Sequence, residues 1–80
     1  MTKAEILTRL KKEIAKETGL TVAEIDDSAT FYSLGLDSIS SVFVLDKLEK
    51  ELKVYLNPLF FWDYPTVGLF ADYITSLQIK

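Results

Sequence analysis

The chain is 80 residues long, 49% hydrophobic and 26% charged, with a formal net charge of -3 and neither His nor Cys; this is the composition of one folded domain, residues 1–80, whose core yields about 3–5 kcal/mol of net stability. Without His or Cys it cannot assemble a Ser-His-Asp or Cys-His pair, a disulfide frame or a zinc-finger spacing, and its carboxylates lack EF-hand spacing, so neither catalytic residues nor a metal site are expected. The acidic balance disfavours nucleic acid, no run approaches the roughly 20 apolar residues of a membrane span, and the N-terminus MTKAEILTRL lacks a signal-peptide core, so a cytoplasmic location is the expectation.

Thr2 and Glu5 have capping-box spacing, and Ile6, Leu7, Leu10 and Ile14 then repeat at helical intervals until Gly19, which predicts a helix over about residues 3 to 17. Its basic residues Lys3, Arg9, Lys11, Lys12 and Lys16 interleave with Glu5, Glu13 and Glu17, as on a solvated face. A second Thr-x-x-Glu, Thr21 to Glu24, suits one short capped turn, and DDSAT onward reads as a long loop that Phe31 and Leu34 can pin to the core.

After Gly35, Asp37 or Ser38 can cap a second helix carrying Ile39, Val42, Phe43, Val44, Leu45, Leu48 and Leu52 and ending near Lys53. That pattern is apolar on more than one side. Ser41, Val44, Leu45, Leu48 and Leu52 form an inward stripe, while Ile39, Val42, Phe43 and Asp46 share another flank through spacings of three and four. Asn57 followed by Pro58 is a start signal for the short turn LFFW, which Tyr64-Pro65 ends. Phe60, Phe61, Trp62 and Tyr64 read as core aromatics, so Trp62→Ala is expected to cost about 3–5 kcal/mol. Thr66 caps a last helix with Val67, Phe70, Ile74 and Leu77 on one face. Gly68 weakens that helix by about 1 kcal/mol relative to Ala without an evident reason. KVYLN is the one weak strand candidate. The expected fold is all-α: a small four-helix bundle with a short third helix and a long loop between helices 1 and 2.

Charge is unevenly spread. No Lys or Arg lies between Lys16 and Lys47, whereas Glu17, Glu24, Asp26, Asp27, Asp37 and Asp46 all fall there, so a macromolecule approaching this stretch should be basic.

Leu34-Gly35-Leu36-Asp37-Ser38-Ile39 resembles the attachment motif of acyl carrier proteins. Phe61-Trp62-Asp63-Tyr64-Pro65-Thr66 is similar to the FDYPT signature of polyketide synthase carrier domains, and the two lie at the separation that family uses. The resemblance implies that Ser38 is esterified by a phosphopantetheinyl transferase, which moves 4'-phosphopantetheine from coenzyme A, and that the arm's thiol carries acyl groups as thioesters. Gly35 would permit the turn that presents Ser38, and Asp37 would help the transferase bind its metal and the coenzyme A phosphates. Ile39, Val42, Phe43 and Asp46 would form the partner-binding flank, although position 43 is often acidic in the family; the alternative for Phe43 is packing under the loop of Phe31 and Leu34. The implied partners are the transferase and ketosynthase, acyltransferase or acyl-ligase type enzymes, met by a monomer in polyketide or specialised fatty-acid-type biosynthesis. A peptidyl carrier is a further possibility, though those more often have a second glycine where Leu36 stands. The competing class is a helical interaction domain in which Ser38 is a cap or a phosphorylation site. Covalent chemistry at Ser38 separates the two.

Overall fold

The computed structural model describes residues 2–57 and 59–78; Pro58, with its expected place as the first residue of a helix, lies outside the described residues, as do the side chains of Phe60 and Phe61 and the core role expected for them. Helix α1 spans Lys3–Thr18. The Thr2 hydroxyl accepts from the Glu5 N–H while the Glu5 carboxylate accepts from the Thr2 N–H at 3.0 Å, so the capping box forms as the spacing predicts. Gly19 ends it in the left-handed region at φ 80°.

Helix α2 spans Ser38–Leu52, α3 is the single turn Phe60–Asp63, and α4 spans Val67–Gln78. Helix α1 packs against both α2 and α4, so the bundle proper has three helices. The expectation of a four-helix bundle is corrected on this point: four residues make barely more than one turn and offer no ridge long enough to interdigitate with a neighbour. Among the described residues there is no strand, and Val54, Tyr55 and Leu56 of the strand candidate are irregular backbone. Ile6, Leu10 and Ile14 of α1, Val44, Leu45 and Leu48 of α2, and Val67, Phe70 and Ile74 of α4 are buried together, each such side chain contributing roughly 1.5–3 kcal/mol.

Glu13 departs from the solvated face expected for it. It is 3% exposed, and its Oε1 has no hydrogen-bond partner, only the Lys16 ammonium 3.5 Å away. The α1 stripe that turns inward runs Ile6, Leu10, Glu13, Ile14, and the helical repeat places position 13 on it whatever its chemistry.

Residues 19–37 cross from α1 to α2, with a 3₁₀ turn at Val22–Glu24. Past that turn the crossing is fastened to the start of α4. Thr30 and Thr66 form an isolated antiparallel bridge, Phe31 donates its N–H to Pro65 O at 3.2 Å, and Ala29 and Asp27 carbonyls accept from Val67 and Gly68 at 3.0 and 2.8 Å. Those carbonyls satisfy N–H groups that the first turn of a helix leaves without intrahelical partners. Thr66 supplies another acceptor, its hydroxyl taking the Leu69 N–H at 3.2 Å. Phe31, as the sequence suggests, is the pin: it is buried and meets Phe70 edge to face at 5.4 Å.

Candidate functional site

The seven residues before α2 wind into a compact turn. Leu36 and Leu34 both donate to Phe31 O at 3.2 Å, and Gly35 donates to Tyr32 O at 3.0 Å. Gly35 sits at φ 90°, and a Cβ built there meets nothing within 4 Å. Glycine is therefore required by the backbone angle rather than by lack of room. Leu36 is buried just beyond it, which fixes the direction in which the chain enters α2.

Asp37 and Ser38 divide two tasks at that entry. Asp37 is the N-cap, its Oδ1 accepting the Ser40 N–H at 2.7 Å. That backbone hydrogen bond, reinforced by the Ser40 side chain, lowers the Asp37 pKa from its ordinary 3.8, so the carboxylate is ionised at neutral pH. Ser38 is the first residue of the helix and exposed, and among the described residues nothing hydrogen-bonds to its hydroxyl. Of the two caps that the sequence allows, the structure uses Asp37 and leaves the serine oxygen free.

Ser38 also lines a cleft of about 610 Å³. Phe31, Leu36 and Val42 form its wall on the bundle side, and Leu59, Trp62 and Pro65 contribute from the α3 segment. Trp62 is 84% exposed, which corrects its reading as a core residue. Successive positions of a helical turn point about 100° apart, so a four-residue turn cannot bury an unbroken aromatic run. Tyr64, from the same run, is half-buried and stacks on Tyr73 at 4.5 Å, which is a structural role. The cleft had no signal in sequence except that aromatic run, since its two sides come from segments separated in the chain, Thr30 to Val42 and Leu59 to Pro65.

On the outer flank of α2, Ile39 is 68% and Phe43 54% exposed, and Val42 and Asp46 are exposed beside them. Ser41, Val44, Leu45, Leu48 and Leu52 are buried, as the two-stripe pattern predicts. Phe43 therefore does not pack under the loop. Asp46 is held by Lys50 at 3.2 Å, an exposed pair worth little and readily exchanged. Val42 belongs to both surfaces, since it also lines the cleft.

Residues 8–74 match the family model of the phosphopantetheine attachment site. The chain belongs to that family. The carrier domain is 41% identical over 69 residues to the non-reducing polyketide synthase Preu8 of Preussia isomera, and 31% identical over 78 residues to the conidial pigment polyketide synthase PfmaE of Pestalotiopsis fici. Those stretches are 86% and 98% of this chain but 3% and 4% of the synthases. Among solved structures it superposes on a free-standing peptidyl carrier protein from an uncharacterized Acinetobacter baumannii secondary metabolic pathway with a TM-score of 0.88, at 37% identity and 95% coverage of both chains. It superposes on an HMG-ACPI domain of the CurA module of Lyngbya majuscula with a TM-score of 0.85, at 29% identity, covering 95% of this chain and 77% of that one. Members of this family hold 4'-phosphopantetheine covalently and are carriers rather than catalysts.

The residues present fit such a group. An exposed hydroxyl without a hydrogen-bond partner opens a 15-residue helix, beside N–H groups and a dipole end that favour an attached phosphodiester by about 0.3–1 kcal/mol. The bound arm supplies the thiol that this chain, lacking Cys, does not have.

Proposed function

We propose that Ser38 is the attachment residue, and that the domain shuttles acyl intermediates as thioesters on its phosphopantetheine arm between enzymes of a polyketide-type pathway. The single observation that carries this is the free Ser38 hydroxyl at the first position of α2, with Asp37 already committed to the cap. A phosphopantetheinyl transferase would join Ser38 Oγ to the β-phosphorus of coenzyme A, displacing 3',5'-adenosine bisphosphate while the serine proton passes to a base of the transferase. Asp37, ionised beside the acceptor, is suited to the transferase's metal and to cationic groups around the coenzyme A phosphates.

The pathway reading is supported by likeness to carrier regions of polyketide synthases over most of this chain, and the peptidyl alternative by the structural likeness to a peptidyl carrier. Leu36, where peptidyl carriers more often have glycine, favours the first; it is buried and holds the entry to α2. Partner enzymes of ketosynthase, acyltransferase or acyl-ligase type would dock on the exposed stripe of Ile39, Val42 and Phe43, with Asp46 at its far end meeting a basic rim. We assign the domain a monomeric, cytoplasmic working state; among the described residues no helix is long and apolar enough to cross a membrane.

Incubation with coenzyme A, magnesium and a broad-specificity phosphopantetheinyl transferase is expected to add one phosphopantetheine mass to the wild type and none to Ser38→Ala, read by intact-protein mass spectrometry. An unmodified wild type, or a modified Ser38→Ala, removes this reading.

A further inference from the structure

We propose that the mouth of the cleft beside Ser38 is a socket for a guanidinium: an arginine of the enzyme that docks on the domain stacks on the exposed ring of Trp62, with Tyr32 beside it, and pairs with the Asp37 carboxylate. This rests on the carrier reading, which brings enzymes to Ser38, and it names the chemistry that one of them offers at this place. Asp37 is the single charged residue in the lining; the others are apolar, aromatic or hydroxyl-bearing. Among the described residues no Lys or Arg pairs with that carboxylate. The backbone hydrogen bond from Ser40 holds its pKa below the ordinary value, so it stays charged at neutral pH. Capping takes one of roughly four acceptor positions on a carboxylate, which leaves room for a second donor group. The chain has no guanidinium of its own to place there, because its one arginine, Arg9, is tied to Glu51 at the far end of α2.

The aromatic side of the socket is equally open. Tyr32 and Trp62 line the cleft while 89% and 84% exposed, so their rings are accessible to a side chain from outside. A cation over an aromatic face is drawn to its negative quadrupole, indole most strongly, and at an exposed site this amounts to about a two- to fivefold gain in affinity. A carboxylate beside such rings therefore favours a cation over a neutral apolar group. Planarity then favours Arg over Lys. A guanidinium lies flat on a ring, meets a carboxylate through two parallel N–H bonds and sheds its water more readily than a compact ammonium does.

The probe is N-acetylargininamide, with N-acetyllysinamide and N-acetylnorleucinamide as the ammonium and the uncharged comparisons. Each is titrated into the intact chain at constant ionic strength and followed by NMR at the indole N–H of Trp62, the one Trp, and at the Asp37 and Ser38 amides. The arginine probe is expected to shift these signals saturably and to bind at least about threefold more tightly than the lysine probe, while the norleucine probe leaves them in place. Trp62→Phe keeps a ring face and should retain most of the binding. Trp62→Leu, read at the two amides, should weaken it about two- to fivefold. Asp37→Asn, which can still cap α2, should weaken it by about threefold or more. Circular dichroism checks that the variants fold, and the three-probe comparison in the wild type stands without them. Absence of a saturable shift, a lysine or norleucine response equal to that of arginine, or affinity unchanged in Trp62→Leu or Asp37→Asn overturns the inference. Each of these leaves the carrier reading intact, because phosphopantetheine transfer to Ser38 is read separately by mass. A wild type that gains no mass overturns both.

Discussion

At the start of α2 a carboxylate and a hydroxyl stand side by side, and the carboxylate takes the cap because its oxygen reaches the Ser40 amide at 2.7 Å. Had Ser38 capped the helix, its hydroxyl would be engaged with backbone and poorly placed for transfer. Similar reasoning applies five residues on. Phe43 is 54% exposed on the flank opposite the buried Val44 and Leu48, so Phe43→Glu, which removes little buried area, should shift stability by no more than about 0.5 kcal/mol. It should at the same time change the rate of acyl loading by the native partner enzyme at least severalfold. Thermal melting and loading kinetics together check it; a large loss of stability would return Phe43 to the core. The two stripes of α2 were legible because a helical repeat separates them whatever lies nearby. Trp62 was misread for the opposite reason: hydrophobicity marks a residue as eligible for burial, and only the length and direction of its short turn decide whether burial happens.

Among the elements, α1 and α2 could be drawn from the sequence nearly to the residue, and α4 at its start, since Thr2, Asp37 and Thr66 begin them and Gly19 and Lys53 close the first two. The fastening of the long crossing to α4 could not, because backbone-to-backbone pairing across more than thirty residues leaves no periodicity. Gly68 is its trace. A Cβ on Gly68 would stand 3.1 Å from Asp27 O, the same oxygen that accepts the Gly68 N–H at 2.8 Å. Helix propensity favours Gly68→Ala by about 1 kcal/mol, but the approach of the crossing opposes it, and Asp27 is held further by its ion pair with Lys11. We expect Gly68→Ala to be destabilising by about 1 kcal/mol in urea unfolding, with faster hydrogen exchange at the Val67 amide. A stabilised variant would mean that Asp27 yields easily.

For the whole molecule, the absence of His predicts a melting temperature nearly flat between about pH 5 and 8. Below that, four carboxylates act in concert. Glu5, Glu24, Asp26 and Asp37 each have a pKa lowered first of all by a backbone hydrogen bond, from Thr2, Thr21, Ser28 and Ser40 respectively. A lowered native pKa means that the unfolded chain binds more protons in this window, so their contribution is present above the ordinary carboxylate values and fades as pH falls through the lowered ones. All four are at the surface, where solvent weakens the effect, so the decline should be gradual. Melting followed by circular dichroism from pH 7 to pH 2.5 is expected to show a steady fall beginning near pH 4, and a transition unchanged down to pH 3 would exclude these caps as contributors.

A swinging arm works best on a bearing that does not swing with it. The crossing that leads into Ser38 is clamped to α4 through Asp27, Ala29 and Phe31, and the helix that Ser38 opens is seated on α1, so the pivot we propose is braced from two sides of the molecule. With Ser38 as the proposed root of the arm, the freedom of the system would reside in the tether, and each enzyme that docks would meet that root at one fixed place and angle.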